Sequence, residues 1–222
     1  MIFYKDKILV LPPKTGSRSA VAAVSGIDKY HRHEPVYNLS GKEREDKEII
    51  MMVRDPYSWY ESFWFHRIHT LPLKESEWWQ HEFGKTEFHD ALFDYCYGAE
   101  KEEVVALGGV PNGAQFSGTL GKEDINHMHY QNVWGVGYYS ETMMWSACTQ
   151  LKDKYLWNDD IKFVEMGNFQ ALSKLGFEVT PTPKVGRASY GDKKPEWSSV
   201  MRHWVNNRDG ECWDYIQSRM VP

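Results

Sequence analysis

Blocks of apolar residues separated by polar turns set the plan of this chain, and the first block is the clearest. Residues 7–13 read KILVLPP, an aliphatic run that two prolines stop. Such a run predicts a buried strand. Residues 17–27 read SRSAVAAVSGI, in which Ala20, Val21 and Val24 share a helical face. Because Ser17 can cap this helix and Gly26 can end it, the block predicts a strand, a polar turn and a short helix.

A second block repeats this plan. Residues 49–53 read IIMMV, and the polar residues Arg54 and Asp55 follow at once. Asp55 can cap a helix and Pro56 suits the first helical position, so the pattern predicts a helix to about His66. Two strand–turn–helix units favour an α/β fold, with a central parallel sheet flanked by helices. The length of 222 residues suits one domain over residues 1–222.

Later segments extend the pattern. Helical spacing is found in residues 87–98, 138–156 and 196–218, and residues 161–179 predict a strand, a turn and a helix that Gly176 ends. Polar or glycine-rich composition in residues 28–46, 106–121 and 180–197 predicts mainly loops, with an edge strand allowed in the first of these.

Composition and charge narrow the function classes. The formal net charge of −5 argues against a general nucleic-acid binder, which needs a basic face. No apolar run approaches the roughly 18 residues of a membrane span. The three cysteines, Cys96, Cys148 and Cys212, form no disulfide framework, which favours a reducing compartment. Since the first residues also lack the architecture of a signal peptide, a cytoplasmic location is expected.

The polar turn after the first predicted strand carries candidate chemistry. It contains Lys14, Thr15, Gly16, Ser17 and Ser19, which offer a cation, three hydroxyls and a flexible glycine. A turn that leads into a helix also exposes backbone N–H groups at the positive end of the helix dipole. These features favour a phosphate-binding cradle. The pattern differs from the Walker A motif GxxxxGK[ST], in which the lysine follows the second glycine.

The order P-K-T-G-S-x-S after a strand resembles the 5′-phosphosulfate-binding loop of the sulfotransferases that use 3′-phosphoadenosine 5′-phosphosulfate (PAPS). In that family an arginine at a strand end, and a serine eight positions later, bind the 3′-phosphate of the cofactor. Arg54 and Ser62 have this spacing. An arginine fork can bind a phosphate through two N–H groups. The resemblance therefore implies a PAPS site, with adenosine 3′,5′-bisphosphate as the product.

Other segments resemble the family less sharply. Residues 125–136 and 161–177 are similar to segments of carbohydrate sulfotransferases, and residues 183–191 fall where the family has a loop over the cofactor. Lys184 and Arg187 are candidate cofactor contacts on that ground. Arg18 stands where the family often has a hydroxyl, so it is either a candidate contact for the phosphosulfate or a side chain that points outward. Ser19 replaces a tryptophan of the cytosolic small-molecule enzymes, so the resemblance is closer to the carbohydrate or bacterial branch.

The resemblance also implies a mechanism. Lys14 would neutralise charge on the leaving group, and a general base would take the proton of the acceptor. The acceptor is expected to be a carbohydrate, a lipid-linked molecule or a small molecule. His33 is the favoured base, with His31 and Glu34 as alternatives. No metal is required. The lack of a membrane anchor favours a bacterial or viral source over the animal Golgi enzymes.

Simpler interpretations stay open. The turn at Lys14 could have no role beyond capping a helix. Arg54 could simply pair with Asp55, and the histidine-rich loop could be a solvated surface. Two His-x-His pairs could suggest zinc, but neither has a nearby acidic or cysteine partner that completes a clear ligand set. A small-molecule kinase, or a relative that binds nucleotides without turnover, is the alternative function.

Overall fold

A computed structural model describes residues 1–31, 33–70, 87–97, 137–147, 160–180 and 194–222. Within these residues five strands form one sheet in the order β3-β1-β2-β4-β5. The strands are β1 Ile2–Tyr4, β2 Lys7–Val10, β3 Lys29–Tyr30, β4 Glu48–Val53 and β5 Lys162–Glu165. The sequence pattern predicted β2, β4 and β5 in these places.

Among the described residues, seven α-helices and one short 3₁₀ turn at Val36–Asn38 accompany the sheet. The helices are α1 Ser17–Ala23, α2 Gly41–Arg44, α3 Pro56–Thr70, α4 Phe88–Tyr97, α5 Tyr138–Ala147, α6 Phe169–Lys174 and α7 Ser199–Ser218. No helix within the described ranges combines the length and apolar character that crossing a membrane requires. The segment 125–136, most of the predicted loops 106–121 and 180–197, and the candidates Lys184 and Arg187 lie outside the described residues.

The α/β arrangement is confirmed, but the predicted parallel sheet is mixed. β2 pairs with β4, and β4 with β5, in parallel. β1 is antiparallel to both of its neighbours, β2 and β3. The reason is a tight hairpin at Lys5 and Asp6, which turns the chain directly from β1 into β2. β3, β2, β4 and β5 consequently all run in the same direction.

Alternate residues of the strands build two cores, one on each face of the sheet. In β4, Met51 and Val53 face one side and Ile50 and Met52 face the other. The first core also contains buried residues of α3, α4, α5 and α7. The second core contains buried residues of α1 and α6. A strand buried on both faces has to be apolar throughout, which explains the continuous run IIMMV.

Two helix ends that matter for the site follow from local chemistry. At α3 the Asp55 carboxylate accepts the N–H of Ser58 at 2.9 Å, and Pro56 is the first helical residue, as predicted. At α1 the predicted cap is wrong. Gly16, rather than Ser17, is the N-cap, and no side chain caps this helix. Its left-handed backbone, at φ 84°, lets the chain turn from the loop into the helix.

Candidate functional site

The carboxyl ends of four strands meet at one edge of the sheet. Since β3, β2, β4 and β5 run in the same direction, the residues that follow each of them leave the sheet at that edge. These are the residues from His31, Leu11, Arg54 and Met166 onwards. Ligands of open α/β sheets bind outside the carboxyl ends of strands. The topology thus brings most of the candidate residues to the place where such a site is expected.

The loop after β2, residues 11–16, is tightly built. Lys14 and Gly16 both have left-handed backbones, at φ 66° and 84°. Thr15 between them is fully buried, and its hydroxyl donates to the Pro12 carbonyl at 2.7 Å. The Thr15 hydroxyl, predicted as an anion donor, therefore supports the turn in this structure. A left-handed conformation costs a residue with a side chain roughly 1–2 kcal/mol, so the fold maintains Lys14 in a strained position.

Gly16 is required by its surroundings as well as by its backbone. A Cβ atom at this position would lie 2.8 Å from Cγ and 3.1 Å from Sδ of Met166. Met166 follows β5, and its N–H donates to the Val53 carbonyl at 2.6 Å, which fixes it beside β4. The first turn of α1 can approach the strand ends this closely only because position 16 has no side chain.

The Lys14 ammonium lies in a partly buried, positive environment. Burial is the main cause that lowers its pKa to about 8, and the charges of Arg54 and Arg18 add to the effect. At neutral pH most Lys14 side chains are still protonated, so three positive charges lie near one another. Arg18 is exposed, whereas Ser17 and Ser19 are half-buried in the first turn of α1. An anion bound here would relieve the repulsion among these cations.

Arg54 links the loop after β2 to α3. Its Nε donates to the Ser58 hydroxyl at 2.8 Å, and its Nη1 donates to the Lys14 carbonyl at 3.4 Å. The Ser58 hydroxyl in turn donates to the Asp55 carboxylate. Asp55 thus orients the guanidinium through Ser58. These contacts bring Lys14 and Arg54, 40 residues apart in the chain, to one place.

Ser62 lies on the same face of α3 as Ser58. It is buried, and it follows Ser58 by one helical turn. Between them on this face, the Trp59 indole donates from Nε1 to the Pro13 carbonyl at 2.9 Å. The start of α3 is consequently anchored to the loop that carries Lys14, and Ser62 extends this face away from Arg54.

The three candidate bases have different surroundings. His33 contacts the Leu11 carbonyl through Nδ1 at 2.9 Å, at the start of the loop. Because a carbonyl can only accept, a neutral His33 carries its proton on Nδ1, and Nε2 is its basic nitrogen. The ring of His31 instead pairs with the Glu34 carboxylate, and the backbone N–H of His31 donates to the Met1 carbonyl at 2.8 Å. The structure therefore places His33 against the loop, and joins the other two to each other.

Sequence reasoning missed three residues that shape this site: Ser58, Met166 and Tyr139. Tyr139 of α5 is fully buried, and its hydroxyl donates to the Arg54 carbonyl at 2.9 Å. Ser58 is the third residue of α3, where a predicted Asp55 cap brings the two side chains together, so the capping pattern could have revealed it. Met166 and Tyr139 act through tertiary packing, which no local pattern indicates.

Comparisons with known proteins found no relative of this chain. No protein-family model, no curated protein and no solved structure matches the chain. The chemistry of the site is therefore the evidence for function.

Proposed function

We propose that this protein is a PAPS-dependent sulfotransferase on a P-loop-like α/β fold. It would transfer a sulfuryl group to a hydroxyl or amine of a carbohydrate, a lipid-linked molecule or a small molecule. The observation that carries the proposal is the junction of Lys14 and Arg54 at the ends of two parallel strands. Each lies in the motif through which the chain resembles the sulfotransferases.

The two motifs suit different groups of the cofactor. The loop amides and Lys14 suit the phosphosulfate, because the loop leads into the positive end of α1. Arg54 suits the 3′-phosphate, because it follows β4 and contacts that loop, and the resemblance adds Ser62 of α3 to the same phosphate. Arg18 adds a positive charge close enough to affect Lys14. The resemblance also assigns Lys184 and Arg187 to the cofactor.

The proposed reaction is an in-line displacement at sulfur. An acceptor oxygen or nitrogen forms a bond to the sulfur while the bond from sulfur to the phosphate oxygen breaks. The electron pair leaves with adenosine 3′,5′-bisphosphate, and the Lys14 ammonium stabilises the charge that develops there. The acceptor proton passes to a base, for which His33 Nε2 is favoured over His31 and Glu34. Positioning and charge stabilisation do most of the work in such transfers, as in phosphoryl transfer.

Ligand-dependent thermal stability tests the proposal directly. A ligand that binds only the folded state raises the melting temperature. We expect adenosine 3′,5′-bisphosphate to raise it more than 5′-AMP or ADP at the same concentration, and radiolabelled PAPS to yield a labelled acceptor in a substrate screen. A larger shift with ATP and magnesium would support the kinase alternative. Binding without transfer to any acceptor would support the non-catalytic alternative, and no shift with any nucleotide would contradict the proposal.

Replacing Arg54 should weaken binding of the 3′-phosphate more than binding of the 5′-phosphate. In Arg54→Ala the affinity for adenosine 3′,5′-bisphosphate should fall by about 10- to 100-fold, because a charge-assisted pair is lost. The affinity for 5′-AMP, which lacks the 3′-phosphate, should change much less. Calorimetric titration with both ligands measures the difference. Arg44→Ala in α2 is the control, since Arg44 precedes β4 and thus lies towards the opposite edge of the sheet. An equal loss for both ligands would remove Arg54 from the 3′-phosphate site.

Replacing His33 should affect turnover and leave cofactor binding intact. We expect His33→Asn to lower kcat by about 10²- to 10⁴-fold, the usual contribution of a general base. The dissociation constant of adenosine 3′,5′-bisphosphate should stay within about twofold of the wild-type value, since His33 faces the acceptor in this mechanism. Steady-state kinetics of His33→Asn and His31→Asn decide between the two candidates. A larger loss in His31→Asn would transfer the role of base to the pair of His31 and Glu34.

A further inference from the structure

A carboxylate lies fully buried between three helices, away from the loop that carries Lys14. It belongs to Asp209 of α7. Its Oδ2 accepts the Tyr60 hydroxyl of α3 at 2.8 Å. Its Oδ1 accepts both the N–H of Ser140 in α5, at 2.9 Å, and the hydroxyl of the same residue, at 2.6 Å. A buried carboxylate needs such donors, and here two other helices supply them.

These contacts cap α5 from outside its own sequence. Ser140 is the third residue of α5, so its N–H has no acceptor within the helix. Gly137, which precedes the helix, has no side chain that could cap it. A Cβ atom at position 137 would lie 2.5 and 2.6 Å from the two Asp209 oxygens, so the carboxylate occupies that space. A ten-residue helix is marginal by itself, and α5 therefore depends on Asp209 for its first turn.

The first turn of α5 also contacts the proposed cofactor site. The N–H of Tyr139 donates to the Tyr60 hydroxyl at 3.1 Å, and that hydroxyl is the one bound to Asp209. The hydroxyl at the end of the Tyr139 side chain donates to the Arg54 carbonyl at 2.9 Å. Hydrogen bonds thus run from α7 through α5 to the backbone carbonyl of Arg54, and the side chain of Arg54 donates from Nη1 to the Lys14 carbonyl.

We propose that Asp209 is a positioning residue for the cofactor site, and that it acts through Tyr139 on Arg54 without touching the ligand. By capping α5, Asp209 fixes the Tyr139 ring, and the ring fixes the peptide from which the Arg54 side chain extends. The nature of the ligand rests on the proposed function. The positioning of the loop by Asp209 does not, and it can be tested without a nucleotide.

Binding measurements test the first half of this inference. We expect Asp209→Ala and Tyr139→Phe each to lower the affinity for adenosine 3′,5′-bisphosphate by about 3- to 30-fold. This is the range of positioning effects carried through packed residues. Ile216→Ala is the matched control, because Ile216 is a buried residue of the same helix outside this network. Ile216→Ala should lower the stability of the protein and reduce the affinity for the ligand by no more than about twofold. Asp209→Asn keeps an acceptor for Ser140 and should restore part of the affinity.

A double-mutant cycle tests the order of the contacts. If Asp209 acts through Tyr139, the variant with both Asp209→Ala and Tyr139→Phe should bind the bisphosphate about as tightly as the weaker single variant. Effects that multiply would show that the two residues act independently, and would overturn the inference. A loss of affinity in Ile216→Ala equal to that in Asp209→Ala would overturn it as well, by showing a general effect of stability.

Hydrogen exchange of the ligand-free protein separates this inference from the proposed function. In Asp209→Ala and Tyr139→Phe, the amides of Thr15 and Gly16 should exchange faster than in the wild-type protein, whereas Ile216→Ala should leave them unchanged. If the wild-type protein binds no bisphosphate, the proposed function fails and this measurement still decides the role of Asp209. Unchanged exchange at Thr15 and Gly16 in both variants would contradict the role.

Discussion

Lys14→Met should lose sulfuryl transfer and gain stability at the same time. We expect kcat to fall by about 10²- to 10³-fold, because the proposed function assigns this cation to the leaving group. The free energy of unfolding should rise by about 1–3 kcal/mol at pH 7. The reason is that the native state buries a charge near Arg54 and Arg18, which lowers the Lys14 pKa from its ordinary value of 10.5 to about 8. Radiolabelled transfer and urea unfolding measure the two effects.

Lys5→Met provides a close control. Lys5 also has a left-handed backbone, at φ 52°, but it lies in the exposed hairpin turn between β1 and β2. This variant should retain full transfer and should not gain the stability expected of Lys14→Met. Full activity in Lys14→Met would overturn the proposed role of Lys14, whereas a loss of stability would show that the ammonium makes a favourable contact in the free protein.

Lowering the pH should stabilise the wild-type protein relative to Asp209→Asn. Burial raises the Asp209 pKa from 3.8 to about 6, so the folded state binds this proton more tightly than the unfolded state. The free-energy cost of the buried charge is fully present above pH 6, and it disappears as the pH falls below the unfolded pKa. The difference in unfolding free energy, wild type minus variant, should therefore rise by about 3 kcal/mol at most between pH 7.5 and pH 3.5.

Comparison with the variant isolates this titration. The groups around Asp209 are Tyr60 from α3, Cys96 from α4, Tyr139 and Ser140 from α5, and Arg208 and Cys212 from α7 itself. Exposed carboxylates of lowered pKa, such as Glu43, change both proteins equally and cancel. Urea unfolding at several pH values measures the difference, and parallel curves for the two proteins would show that Asp209 is already neutral or that its pKa is ordinary.

The strands and helices that shape the candidate site could be predicted because their signals are local. The aliphatic runs of β2 and β4 contain no competing pattern, and Asp55 with Pro56 marks the start of α3. The meeting of Lys14 with Arg54 follows from one further rule, that loops after parallel strands lie at one edge. The junction could thus be predicted from two short segments of the sequence.

Features that depend on packing could not be predicted in this way. β1 has three residues, and its turn at Lys5 and Asp6 lacks the glycine or asparagine that usually indicates a hairpin. The mixed sheet was missed for that reason. Asp209 lies in the polar stretch NNRDGE, which is typical of a solvated helix face, and only the approach of α3 and α5 buries it.

The pairing of the strands has a consequence for the order in which the protein folds. Leu9 pairs with Ile50 about 40 residues further along, whereas Met51 pairs with Phe163 more than a hundred residues further along. Closing the longer loop costs about 1 kcal/mol more chain entropy, so we expect β5 to join the sheet after β2 and β4 have paired. The loop that carries Lys14 and the start of α3 would then meet early, while Met166 reaches Gly16 only in the last stage. The proposed cofactor site would therefore begin to form before the sheet is complete.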